Sequence, residues 1–279
     1  MAVKLVAVDM DGTFLDSSKN YDRERFAAQY RQLKDQGVRF VVASGNQYYQ
    51  LKSFFPDIAD EISFVAENGA YVVSEGKELF YGELPQHGVE SVLQTLDVLP
   101  EGASFAVCGK NSAYLHRCFP ESEFELLNRH YHRLQWIDDY AQIDDVVFKF
   151  AINLPGENGT NTPAAHTRGF VTHLEQNLGE FVKPVSSGAR WVDLIIPGLH
   201  KANGLAMLQE RWGISDAEVV AFGDSGNDFE MISQAGFGYA MDNAVAPIKR
   251  AAKYRTESND ENGVLNVLDR IIEGRNPFN

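Results

Sequence analysis

Asp9 and Asp11 stand two residues apart directly after the apolar run of residues 3–8, and Gly12 follows them. Ser44 and Gly45 come after a second apolar run, residues 38–43. Asp224, Asn227 and Asp228 come after a third, residues 219–222, and Lys201 opens a segment of helical period. Aspartates gathered at one place repel one another unless a cation sits among them. Their hard oxygens suit Mg2+, which takes one or two protein carboxylates together with a phosphate oxygen and waters. The Ser44 hydroxyl, the Lys201 ammonium and the backbone N–H groups of the Gly-containing turns are the donors that a phosphate needs. These groups together describe phosphoryl transfer. One aspartate attacks phosphorus to give an acyl phosphate; the other protonates the departing oxygen and then takes a proton from water.

Such a site requires elements that bring four distant segments to one place. Short β-rich apolar runs alternate here with longer stretches of helical period, the pattern of an α/β domain with a largely parallel sheet. Residues 22–36 read as a helix with Phe26, Tyr30 and Leu33 on one stripe and Asp22 as its N-cap. Strands are expected at 3–8, 38–43 and 63–66, then a hairpin over 71–73 and 79–81. In an open sheet of this kind the ligand crevice lies outside the carboxyl ends of the strands, so a cluster at each strand end becomes one site. The texture changes between about residues 82 and 189, which hold six of the seven histidines and both cysteines. This stretch is expected to be an inserted α/β domain over 83–189. Residues 1–82 and 190–279 then form the doubly wound core, with the run 191–196 resuming it.

Composition narrows the functions. Lys and Arg number 25 against 39 Asp and Glu, a net charge of −14, which disfavours nucleic acid and anionic membrane as partners. No run of about 18 apolar residues occurs, and the apolar opening is broken by Lys4 and stopped by Asp9, so neither a membrane span nor a secretory signal is expected. Two cysteines are too few for a disulfide framework. A cytoplasmic protein is expected, and nothing in the sequence sets its oligomeric state.

Asp9-Met10-Asp11-Gly12-Thr13, Ser44-Gly45, Lys201 and Gly223-Asp224-Ser225-Gly226-Asn227-Asp228 resemble, in order and context, the four motifs of the haloacid dehalogenase-like hydrolases. Glu67-Asn68-Gly69-Ala70 is similar to a segment of their Cof-type branch, whose cap is of type IIB. Residues 43–49 and 197–204 resemble the sugar phosphatases of that branch. The resemblance covers nearly the whole chain. It implies a Rossmann-like core, an α/β cap inserted after the second motif, Mg2+, and small phosphorylated substrates. By position it makes Asp9 the nucleophile and a metal ligand, and Asp11 the general acid/base and a ligand through its backbone carbonyl. Asp224 completes the metal shell, with Asp228 a more distant or occasional ligand. Ser44, Gly45, Lys201 and Asn227 hold the phosphoryl group. The sequence departs from the pattern at Asn46, where many relatives carry arginine.

Each motif alone is weak, because turns favour Asp and Gly and helices favour Ser and Asp at their N-caps. What is specific is the joint order at strand ends. Two rivals share the pattern. A phosphotransferase or mutase would pass the phosphoryl from Asp9 to another alcohol, and a receiver-type signalling module would hold it. Asp11 beside the nucleophile and the long insertion count against the receiver. Cys108, His116 and Cys118 lack the spacing of a zinc finger or ribbon and read as buried cysteines with a surface histidine. His130-Tyr131-His132 either line the cleft or enter a strand. Trp136 and Trp191 read as packing, Ser186-Ser187-Gly188 as a hinge or an ordinary turn, and residues 155–163 as a polar loop.

Overall fold

The computed structural model describes residues 3–156, 168–186 and 190–279. In chain order its elements begin with β1 (Leu5–Val8), α1 (Arg23–Asp35), β2 (Arg39–Ala43), α2 (Tyr48–Ser53), β3 (Ser63–Ala66), β4 (Tyr71–Ser74) and β5 (Lys77–Tyr81). The next group is α3 (Gln86–Leu96), β6 (Ser104–Gly109), β7 (Ala113–His116), α4 (Glu121–Leu127), β8 (Leu134–Ile137), β9 (Val147–Asn153), α5 (Arg168–Leu178), β10 (Lys183–Ser186) and β11 (Trp191–Ile195). The chain closes with α6 (Lys201–Trp212), β12 (Val219–Gly223), α7 (Phe229–Gln234), β13 (Phe237–Ala240), α8 (Ala246–Ala251), β14 (Tyr254–Arg255) and α9 (Gly263–Ile272).

One sheet has the strand order β14-β13-β12-β1-β2-β3-β4-β5. Its strands run parallel from β14 to β3, and the β4–β5 hairpin adds antiparallel to β3. Every residue of β1 is buried, which is why its sequence shows a continuous apolar run instead of alternation. The pleat divides that run between two cores. Val6 and Val8 join Phe26, Leu33 and Leu268 on the face of α1 and α9, while Leu5 and Ala7 join Leu205, Leu208 and Met231 on the face of α6 and α7. Helix α1 starts where its sequence says it should. The Asp22 carboxylate accepts from the Arg25 N–H at 3.0 Å, and Phe26, Tyr30 and Leu33 are buried. The fold is thus an α/β doubly wound parallel sheet. From central β1 the chain winds through β2 and β3 on one side and β12 to β14 on the other, so the switch of direction falls at β1.

A second sheet has the order β10-β11-β9-β6-β7-β8 and is antiparallel except between β7 and β8. Helices α3 and α5 cover one face through Val92, Leu96, Leu174 and Leu178. The run at 191–196, expected to resume the first sheet, does not. Residues 191–195 are β11, paired antiparallel with β9 and β10 in the second sheet. An apolar run states that a strand is buried, not which sheet it joins. Within that sheet the Asp193 carboxylate meets the Lys149 ammonium of β9 at 3.1 Å. The chain re-enters the first unit only at α6. Most of the loop at 155–163, and Ser187 and Gly188, lie outside the described residues. Among the described residues no helix is long and apolar enough to cross a membrane.

The two sheets meet through polar groups. The Gln47 side-chain amide both donates to the Arg133 carbonyl (2.9 Å) and accepts from its N–H (2.8 Å), and the Gln50 amide donates to the Arg129 carbonyl at 2.6 Å. Lys149, 1% exposed, donates to the Gly45 carbonyl at 2.6 Å and faces Glu67 at 3.4 Å. Burial pushes the Glu67 carboxyl up to about 7, as does its neighbour Asp193, while Lys149 holds it down. Burial alone would push the Lys149 ammonium down, but Asp193 and Glu67 hold it above its ordinary range. Removing one partner of a buried ion pair leaves an uncompensated charge. Lys149→Ala is therefore expected to destabilise the protein by about 3–5 kcal/mol in urea unfolding; a loss below about 1 kcal/mol would contradict the role given to this lysine.

Candidate active site

β1 and β12 are neighbours in register, Val8 opposite Phe222, and β1 and β2 pair Val8 with Val42. The residues that follow all three strands must therefore lie side by side. The Asp9 N–H donates to the Phe222 carbonyl at 3.1 Å, closing the gap between the first and third clusters. Gly12 has φ +79°, and a Cβ there would stand 2.7 Å from Asp224 Oδ2, so both backbone and space require glycine. Gly45 is needed for space alone: a Cβ would meet the Asn68 amide and the Asp193 carboxylate, each at 3.1 Å.

Lys201, the first residue of α6, is 1% exposed, and its ammonium lies 2.6 Å from Asp9 Oδ1 and 2.7 Å from Asp228 Oδ1. The other Asp228 oxygen accepts from the N–H groups of Asp224 (2.9 Å) and Ser225 (3.0 Å), which ties the turn after β12 to the lysine. The Thr13 hydroxyl donates to Asp224 Oδ1 at 3.2 Å. Asp9, Asp224 and Asp228 each offer a carboxylate oxygen within 4.8 Å of the others. Three carboxylates face one ammonium. Burial pushes Asp9 up to about 7; Lys201 pulls it down, and Asp228 and Asp11 push it up again. Burial, then Asp9 and Asp228, push Asp224 up to about 8. Burial would lower the Lys201 ammonium, but Asp228 and Asp9 outweigh it and hold it above its usual range.

This set fits a hard divalent cation. The donors are all oxygen, the excess charge is negative, and Asp9 and Asp224 each spend only one oxygen on the hydrogen bonds above. Asp228 has both oxygens engaged, which suits holding Lys201 better than ligating. The Asp11 carboxylate stands apart from the cluster. It pairs with the Lys19 ammonium and accepts from the Asn46 amide at 2.6 Å. Burial pushes its carboxyl up, but Lys19 and Asn46 together bring it below its ordinary value.

Asp9, Asp11, Ser44, Gly45 and Asn227 line one cavity of about 310 Å³, while Asp224, Asp228 and Lys201 stand at its inner end through their contacts with Asp9. The Asn227 side chain accepts from the Ser225 hydroxyl (2.8 Å) and gives one N–H to the side-chain oxygen Oδ1 of Asn68 (2.8 Å), leaving its second N–H for a ligand. Asn68 bonds onward to Asp193 at 2.6 Å. The outer wall comes from the second sheet's unit through Leu126, His130, Tyr131 and Trp191. Of the two readings of 130–132, cleft lining holds for His130 and Tyr131; burial pushes the His130 imidazole down, against the pull of Asp11. Trp191 packs against its own sheet and also faces the cavity, whereas Trp136 stacks on Phe124 at 4.8 Å. Cys108 is buried against the Tyr131 hydroxyl at 3.3 Å, His116 meets the Asp138 carbonyl at 2.9 Å, and Cys118 is exposed. Sequence reasoning missed Lys19, Lys149 and Asp193, and it marked the segment of Asn68 without giving that residue a role. The signal for Lys149 and Asp193 was present, as charged residues inside apolar strand runs.

The family model described as haloacid dehalogenase-like hydrolase matches residues 6–268. The chain belongs to that family. It is 51% identical over 278 residues to the 5-amino-6-(5-phospho-D-ribitylamino)uracil phosphatase YbjI of Escherichia coli (strain K12), covering 100% of this chain and 99% of that protein. It is 26% identical over 275 residues to the phosphatase of the same description, YitU, of Bacillus subtilis (strain 168), covering 95% and 96%. The solved structure of SMU.1108c from Streptococcus mutans UA159 superposes with a TM-score of 0.90 at 33% identity, covering 98% of this chain and 100% of that one.

Carboxyls held high must lose their protons before they bind a cation. In the cation-free fold Asp9 and Asp224 bind protons more tightly than in the unfolded chain, so their contribution to stability falls as pH rises from about 4 toward 8. A bound divalent cation removes that penalty. The gain in melting temperature from Mg2+ over EDTA is therefore expected to grow between pH 5.5 and pH 8; a gain that is flat or shrinks over this interval would contradict the assignment.

Proposed function

We propose that this protein is a Mg2+-dependent phosphomonoesterase that works through an aspartyl-phosphate on Asp9 and acts on small phosphorylated metabolites, chiefly phosphates of sugars and related polyols. The observation that carries this reading is the buried Asp9–Lys201–Asp228 bridge, which abuts Asp224 at the inner end of a cavity also lined by Ser44 and Asn227. The names of the relatives support the activity. The YbjI substrate, as its name gives it, carries phosphate on a ribityl chain, which is itself a polyol phosphate.

Asp9 and Asp224 would hold the Mg2+, joined by the Asp11 backbone carbonyl, with Asp228 beside them. When bound, the ion supplies positive charge against the phosphoryl oxygens. Lys201, pinned by Asp9 and Asp228, fixes the nucleophile's rotamer and adds a second positive charge. The Ser44 hydroxyl, the neighbouring backbone N–H groups and the free N–H of Asn227 receive the remaining phosphoryl oxygens. Asp11 takes up a proton from solvent once Lys19 has left its carboxylate; an Asp9 oxygen then forms its bond to phosphorus as the ester P–O bond breaks, and Asp11 gives that proton to the leaving oxygen. In the second half Asp11 takes a proton from water, the water oxygen bonds to phosphorus, and the acyl phosphate opens to free phosphate and the Asp9 carboxylate.

We assign the cap to the second sheet with its helices, residues 83–189 extended through β11, and its cavity-facing side to recognition of the leaving group. The two free cysteines agree with a cytoplasmic setting. Asp9→Asn is expected to abolish Mg2+-dependent phosphate release from a panel of sugar and polyol phosphates while the variant still folds, as read by circular dichroism; appreciable remaining turnover refutes the nucleophile assignment. Adding glycerol or a sugar as acceptor to the wild-type reaction separates hydrolysis from transfer. Free phosphate is expected to dominate, and an excess of transferred ester would replace phosphatase by phosphotransferase.

A further inference from the structure

The Asp11 carboxylate is held from two sides by groups of different character. Lys19 reaches Oδ1 from a surface turn; its side chain is 53% exposed and its backbone sits at φ +61°. Asn46 reaches Oδ2 at 2.6 Å from the half-buried segment between β2 and α2. The backbone of Asn46 is fixed at both ends. Its N–H donates to the Ser44 hydroxyl at 3.2 Å, and its carbonyl accepts from the Glu67 N–H at 3.2 Å. The side-chain amide must present its nitrogen to Asp11, because the flipped orientation would set two oxygens 2.6 Å apart. Asn46 thus ties the end of β1 to the ends of β2 and β3 at the residue that has to aim a proton.

We infer that Asn46 is the positioning residue of the acid: its amide locks Asp11 Oδ2 so that Oδ1 is the oxygen that carries the proton to the leaving group, while Lys19 occupies Oδ1 only until substrate arrives. The inference rests on the proposed role of Asp11 and deepens it. The geometry divides the two contacts. An exposed lysine in a left-handed turn exchanges readily for solvent or ligand, whereas Asn46 is half-buried and its backbone is held beside Asp11 by its bonds to Ser44 and Glu67. In the first half-reaction the Asp11 O–H proton passes to the ester oxygen as its bond to phosphorus breaks and the Asp9–phosphorus bond forms, so no further reactant is needed.

A residue that acts through the acid matters most where the leaving oxygen needs a proton. For wild type, Asn46→Ala, Asn46→Ser, Asp11→Asn and the double variant Asp11→Asn/Asn46→Ala, kcat/KM with Mg2+ is measured on p-nitrophenyl phosphate and on a primary alkyl phosphate such as glycerol 1-phosphate. Both Asn46 variants are expected to lose about 10²-fold on the alkyl ester and only a few-fold on the aryl ester, since general acid catalysis contributes about 10²–10⁴. The double variant is expected to lose no more on the alkyl ester than Asp11→Asn alone. Equal losses on both esters, additive losses in the double variant, or failure of both Asn46 variants to fold overturn the assignment while leaving the phosphatase reading in place. Absence of wild-type turnover on every ester tested overturns both.

Discussion

The arrangement depends on charge balance among buried groups. Asp9, Asp228 and Lys201 are almost wholly buried, and a charge in such a setting is tolerable only against an opposite one. Lys201 answers two carboxylates, which leaves the cluster short of positive charge. That shortage is the functional property: the site has room, electrostatically, for a cation and for the phosphate that a net charge of −14 would otherwise disfavour. The architecture follows from it. An ammonium on the first turn of α6 can reach both strand ends only if β1 and β12 are neighbours and α6 packs on the same face of the sheet.

The same device is used a second time between the two sheets. Lys149 sits against Asp193, Glu67 and the Gly45 carbonyl as Lys201 sits against Asp9 and Asp228. A path of hydrogen bonds leads from Lys149 toward the other cluster, since Asn68 bridges Asp193 to Asn227, Asn227 accepts from the Ser225 hydroxyl, and the Ser225 backbone N–H donates to Asp228. Asn68 can do so because Glu67, Asn68 and Gly69 adopt three successive positive φ angles, a conformation that costs energy for the first two and persists where surrounding bonds enforce it. The cavity wall from the second sheet's unit is thereby held in register with the turn after β12.

Much of this was legible in the sequence. Strand ends marked by Asp9, Ser44 and Asp224 are visible because a fully buried strand is an unbroken apolar run and its end is where polarity returns. Asp22 announced α1 because the cap is a local interaction. What was not legible is long-range. Trp191–Ile195 has the composition of either sheet, and its place shows only in its pairing with β9 and in the Asp193–Lys149 contact, neither of which is local in sequence. Lys19 gave no signal at all, since a lysine in a polar turn looks solvated until the fold brings Asp11 beneath it. Asn46 was visible as a departure from its relatives, but its contact with Asp11 spans 35 positions and could not be read from spacing.

The sequence separations within the cluster bear on the life of the chain before it is complete. Lys201 meets Asp9 across 192 positions, and Thr13 meets Asp224 across 211. No nascent chain ending before residue 228 contains the whole cluster. Asp9 leaves the ribosome early, and the cluster it joins stays incomplete until more than four-fifths of the chain has been made. Contacts this distant in sequence are also the slowest to close. Asp9 is therefore the first member of the cluster to be synthesised and among the last to find its full set of partners.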